Sequence, residues 1–139
     1  MSINKFNSEG YYDPTAYEAM TAVEKEERAL RAFRPIVYIC SLYAGDVSEN
    51  VENARKYSRF AVDKGYIPVA PHLLFPQFLN DNNPKERQLG LFFGNALMSK
   101  CSEVWVFGDR ISVGMEAEIR RAKWKNYRLR YFTNTCEEV

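Results

Sequence analysis

Residues 103–116 read Glu103-Val104-Trp105-Val106-Phe107-Gly108-Asp109-Arg110-Ile111-Ser112-Val113-Gly114-Met115-Glu116, and the fold turns on them. After Glu103 the run is apolar and β-branched or aromatic, with no polar alternation. That is the pattern of a strand covered on both faces. Gly108 ends the run, Ser112 can cap a helix, and a helix is predicted from about Val113 to Lys125. A buried strand feeding a helix through a few residues is half of a parallel β-α-β unit.

Working outward, the same punctuation recurs. Ile36-Val37-Tyr38-Ile39-Cys40 is an earlier strand of the same kind. A loop from Ser41 to Val47 contains Gly45. Asp46 or Ser48 can cap a helix from about Glu49 to Lys64, stopped by Gly65. Tyr66 to Ala70 is predicted as another buried strand, broken by Pro71. A long loop then runs through Pro76 and Asn80-Asp81-Asn82-Asn83. Asn83 caps a helix that Pro84 opens, ending near Lys100. Arg128 to Phe132 is the last strand. Upstream, residues 1–14 are polar and read as an arm. Asp13-Pro14-Thr15 starts a helix over Ala16 to Phe33, with Ala16, Met20, Val23, Leu30 and Phe33 near one face. Strands alternating with helices predict an α/β fold: a three-layer, flavodoxin- or Rossmann-like parallel sheet with flanking helices and an extra N-terminal helix. The expected division is residues 1–34 as arm and helix, and 35–139 as the α/β domain.

The chain is 139 residues long, enough for a real core without disulfides. Nineteen Lys and Arg against 18 Asp and Glu leave a formal charge of +1, which supplies no global field for nucleic acid. No apolar stretch approaches the roughly 20 residues that span a bilayer, and the N-terminus lacks the apolar run of a signal peptide. Cys40, Cys101 and Cys136 are scattered without a CxxC pair, which fits a reducing cytoplasm. One histidine and unpaired cysteines leave almost nothing for zinc. The expectation is a cytoplasmic protein with no metal, no other cofactor, and neither nucleic acid nor membrane as partner. Its partners are a small molecule and, from exposed aromatics such as Tyr11 and Tyr12, further copies of itself.

In an open parallel sheet, ligands sit beyond the carboxyl ends of the strands where strand order reverses. That selects residues 41–48, 71–79 and 108–116. Gly114 in a first helical turn costs about 1 kcal/mol against Ala, which makes sense where a ligand approaches the backbone. Glu116 lies one turn into the helix, where the dipole favours its ionised form. An ionised, oriented carboxylate is what a glycosyl-transfer nucleophile requires. The plainer alternative is a glutamate that only stabilises the helix dipole. Glu116 and Glu118 differ by roughly a 200° turn, so only one can face the crevice. After the first strand, Ser41, Tyr43 and backbone N–H groups can hold phosphate or sugar hydroxyls, and Tyr43 can stack on a base or simply pack. His72 lies on the crevice side, either as a loop-fixing hydrogen bonder or as a substrate contact. Cys40 reads as core packing, and Arg87 and Arg110 as candidates for an anionic ligand. The basic run from Arg120 to Arg130 reads as a solvated helix face and strand edge.

Val37-Tyr38-Ile39-Cys40-Ser41, Gly65-Tyr66-Ile67-Pro68-Val69, Lys100 to Gly108 and Ser112-Val113-Gly114-Met115-Glu116 together resemble the nucleoside 2-deoxyribosyltransferase-like superfamily. The resemblance covers roughly residues 35 to 132 and is strongest to the small DUF4406-type branch found in phage and mobile-element genomes. It implies that Glu116 attacks the anomeric carbon of a nucleoside or nucleotide, so that the base leaves and another base or water resolves the glycosyl-enzyme. It further implies sugar or 5′-phosphate contacts from Ser41 and Tyr43, and a phosphate contact from Ser112. The expected site is Glu116, Asp109 and Tyr43 as catalytic residues, with Ser41, Tyr38, His72, Asn95, Ser112, Gly114 and Met115 binding substrate. In this superfamily an Asp commonly handles the leaving base from the helix before the third strand. Here Gly94-Asn95-Ala96 stands there, Asn95 cannot protonate a base, and Asp109 is a loose substitute. The implied activity is base transfer or N-glycosidic cleavage. The alternative is a non-catalytic protein that captures a nucleotide-derived small molecule.

Overall fold

The computed structural model describes residues 21–28 and 33–139. The chain divides into two compact units, Met1–Phe33 and Arg34–Val139. In the first, residues 21–28 are helical (α1). The predicted arm over 1–14 and the remainder of the helix up to residue 32 lie outside the described residues.

The second unit runs β1 (Ile36–Cys40), α2 (Val47–Asp63), β2 (Ile67–Val69), α3 (Pro71–Leu74), a 3-10 turn at Phe75–Gln77, α4 (Pro84–Met98), β3 (Glu103–Phe107), α5 (Val113–Trp124) and β4 (Arg128–Phe132). The four strands form one sheet in the order β2-β1-β3-β4, all parallel, with Tyr38 opposite both Val69 and Val104 and Phe107 opposite Phe132. This is the three-layer α/β arrangement that the alternation of elements predicts.

Both faces of β1 and β3 are dry because alternate side chains enter different cores. Tyr38, Cys40, Val104 and Val106 pack with Met98 of α4 and with Met115, Ile119 and Ala122 of α5. Val37, Ile39, Trp105 and Phe107 pack on the other face with Tyr57 and Ala61 of α2 and Phe132 of β4. The chain therefore leaves β1 toward one face and β3 toward the opposite one. The gap between their carboxyl ends is the switch point, where a crevice forms.

Local chemistry sets the helix starts. The side chains of Asp46, Asn83 and Ser112 accept from the backbone N–H of Glu49 (3.2 Å), Lys85 (3.0 Å) and Met115 (3.2 Å). Two crevice loops turn on left-handed glycines, Gly45 at φ +100° and Gly108 at φ +105°, a conformation that disfavours any side chain.

Two expectations differ from the structure. β2 is shorter than predicted and not fully buried, with Ile67 46% exposed. It is an edge strand with a neighbour on one side only, and Pro68 has no N–H to donate to a further strand. The predicted long loop after it opens instead with two short helical turns. Pro71 suits a first helical position because its missing N–H has no partner there anyway.

At the opposite end of the sheet, Glu103 is buried and fully engaged. It accepts from Trp105 Nε1 (3.0 Å), Tyr66 Oη (2.9 Å) and Arg130 Nη1 (3.4 Å). Arg130 also clamps Glu138 through two 2.8 Å bonds, so this member of the basic run is half-buried and paired, not a solvated edge. No helix among the described residues is long and apolar enough to cross a membrane.

Candidate functional site

The rotation of α5 about its axis is set by Met115, Ile119 and Ala122, which dock against the sheet. That rotation separates the two glutamates. Glu116 falls on the outer flank, where its side chain is 64% exposed and its Oε1 lies 3.1 Å from Arg120 Nη2. Its predicted place in the crevice is not where the structure puts it.

Glu118 falls on the flank that faces β1. The residue is half-buried, and its carboxyl lies on the side of the Tyr38 hydroxyl and the Cys40 thiol, which both favour its charged form. Burial pushes its pKa up to about 7 against the opposing pull of those two donors. The perturbation is mutual. Burial first, and then the neighbouring Glu118 charge, hold both the Tyr38 phenol and the Cys40 thiol well above their ordinary values. Cys40 Sγ also points at the Met115 carbonyl oxygen, 4.0 Å away. Cys40 is core, as expected, and in addition feels the charge of Glu118. The signal for Glu118 was present in the sequence: Met115, Ile119 and Ala122 recur at helical spacing, and Glu118 lies about 70° from the centre of that stripe.

The loop after β1 continues the site. The Ser41 hydroxyl is buried with no hydrogen-bond partner, although Ser41 as a residue is only 3% exposed. Such an atom is unusual in a folded protein, and water or a ligand can complete its bonding. The Tyr43 ring stacks on His72 with centroids 4.9 Å apart and 26° between planes. Burial pulls the His72 pKa down, against a hydrogen bond to the Ser41 backbone and the charge of Asp81. The ring is therefore neutral at pH 7. The loop is held by Asn50, whose amide donates to the carbonyls of Tyr43 (2.9 Å) and Ala44 (3.1 Å). Ser41, Tyr43 and His72 thus come together, and Cys40 and Tyr38, the residues nearest Glu118 in its electrostatics, lie one and three residues before Ser41.

The remaining expected residues are placed differently. Asp109 and Arg110 line a cavity of about 310 Å³ between the loops that follow β1 and β3, with Leu42, Asp46, Tyr57 and Phe107, on the α2 side of the switch point. Asp109 is therefore not beside Glu118. Asn95 is half-buried on α4, next to Gly94, where an added Cβ would lie 3.5 Å from the Tyr38 hydroxyl. Ser112 is engaged as the α5 cap, and Met115 is core. A Cβ on Gly114 would meet only Ser112 Oγ, at 3.9 Å, so packing within the protein does not demand glycine there. Arg87 and Arg110 are exposed. Among the described residues, no group of three or more His, Cys, Asp or Glu side chains is placed to hold a metal ion.

A family model described as a domain of unknown function (DUF7768) matches residues 35–132, and no curated protein matches the chain.

Proposed function

The chain belongs to the DUF7768 family, whose description names no activity, and we propose that it acts on the N-glycosidic bond of a nucleoside or nucleotide through the Glu118 carboxyl. The observation that carries this reading is a half-buried carboxyl, shielded from water and poised to ionise near neutral pH, next to the phenol of Tyr38 and the thiol of Cys40. In the proposed reaction the ionised carboxylate attacks the anomeric carbon. The base departs with the electrons of the broken C–N bond and takes a proton from water. Water or a second base then releases the sugar from its ester with Glu118. Tyr38 and Cys40 orient the carboxylate, while Ser41, Tyr43 and His72 supply contacts for sugar, phosphate or base. The resemblance to nucleoside 2-deoxyribosyltransferases agrees in chemistry, with the nucleophile moved from Glu116 to Glu118. Three free cysteines fit the reducing cytoplasm expected for such an enzyme.

A second reading, capture of a nucleotide-derived molecule without turnover, is favoured by Asn95, which stands where the resemblance expects an acid to protonate the leaving base. One experiment separates the two. The protein is incubated with a panel of nucleosides and nucleotides and the products are chromatographed for free base. Base release should fall about a thousandfold or more in Glu118→Gln and stay within about threefold of wild type in Glu116→Gln, where only an exposed ion pair is lost. Release in wild type should rise with pH through about 7, as the carboxyl ionises. Thermal stabilisation by a panel member with no base released would establish the binding reading. Release that survives Glu118→Gln would remove the enzymatic one.

A further inference from the structure

We infer that the outer face of α5 is the contact surface between two copies of this chain, packed antiparallel about a two-fold axis. The face opposite the docked stripe carries apolar groups on either side of one arginine. Val113, Ala117, Arg120 and Trp124 are spaced four, three and four residues apart. At 3.6 residues per turn they share an arc of about 60°, the geometry of a helix–helix seam. Val113 is 86% exposed and Trp124 is 73% exposed, so the two bulkiest apolar groups of the seam stand uncovered at its two ends. Large uncovered apolar groups at such spacing mark an interaction surface.

The charges select the occupant. Glu116 and Lys123 lie on the same flank of the seam, about 20° apart in azimuth and nearly two turns apart along the axis. In an antiparallel pair related by a two-fold axis, like flanks meet and each end of one helix meets the other end of its mate. Glu116 of one copy then lies beside the Arg120–Lys123 stretch of the other. Val113 packs on the partner's Trp124, and both contacts occur twice. A parallel pair would instead set Trp124, Lys123 and Lys125 against themselves. Lys125 Nζ already lies 4.6 Å from the Trp124 ring centroid, and doubling that cluster would oppose like charges. The surface is therefore complementary to itself in one orientation only.

Sedimentation velocity at roughly 100 µM, a concentration that fills a dimer of micromolar Kd, tests the inference. Wild type should sediment as a dimer. Trp124→Glu and Val113→Arg should each weaken association more than about tenfold, with the circular dichroism spectrum unchanged because both side chains are exposed in the single copy. Glu116→Lys should weaken it, and adding Lys123→Glu should restore it by re-forming the pair with signs exchanged. A monomeric wild type at that concentration, or a dimer that survives Trp124→Glu, overturns the inference. A double charge exchange that fails to restore association overturns the antiparallel arrangement.

Discussion

Two glutamates pack against the same sheet, Glu103 buried and Glu118 half-buried, and their surroundings set opposite chemistries. At the amino end, Glu103 has three donors from three side chains. Burial alone would raise its pKa, but bonds from Trp105, Tyr66 and Arg130 outweigh it and hold the carboxyl below its ordinary value. Glu118 has only a phenol and a thiol to favour its charge, and burial wins. One is satisfied and serves the fold. The other has only weak donors beside it and keeps a raised pKa. A residue type and its depth thus do not assign a role; the balance of donors around it does.

The contrast can be broken at either end. Glu103→Ala strips Trp105 Nε1 and Tyr66 Oη of their acceptor and leaves Arg130 only its Glu138 partner. Denaturant titration should show a loss of about 4 kcal/mol, the scale of removing one member of a buried charged cluster. A loss under about 1 kcal/mol would mean that the cluster stabilises nothing.

Glu118→Gln should do the reverse for stability. Its folded carboxyl holds a proton more tightly than an unfolded one, whose ordinary value is 4.5. The wild-type fold therefore loses stability as pH rises from that value through about 7, by about 3 kcal/mol in all. Thermal melts should show Glu118→Gln above wild type at pH 8, with the gap closing below pH 5. A gap independent of pH would show that the carboxyl is not held neutral by the fold.

The smallest effect is expected at Ser41. Ser41→Ala removes a buried hydroxyl that bonds to nothing, so stability should be unchanged or raised by up to about 1 kcal/mol. Affinity for whichever nucleoside or nucleotide stabilises the protein should fall about tenfold, read by thermal shift. Destabilisation beyond about 1 kcal/mol would place the hydroxyl with the fold and not with a ligand.

Features governed by a few neighbouring residues were legible in the sequence. The apolar runs at 36–40 and 103–107 and the caps at Asp46, Asn83 and Ser112 all depend on local spacing. β2 was harder, because a three-residue apolar strand reads the same at an edge as in the middle of a sheet. Asp109 was harder still: it follows β3 directly, but the turn at Gly108 carries it to the α2 face, and nothing local specifies that direction.

For α5, the amino-acid sequence by itself determined a capped helix with two glutamates on different flanks and two apolar stripes, one at Met115, Ile119 and Ala122 and one at Val113, Ala117 and Trp124. Packing in the folded chain settles which stripe meets the sheet, and with it that Glu118 turns toward β1 while Glu116 faces water. The reason is physical. Helical periodicity fixes the angles between side chains on one element, but the absolute rotation is set by packing against β1, β3 and β4, which lie tens of residues away or across a turn.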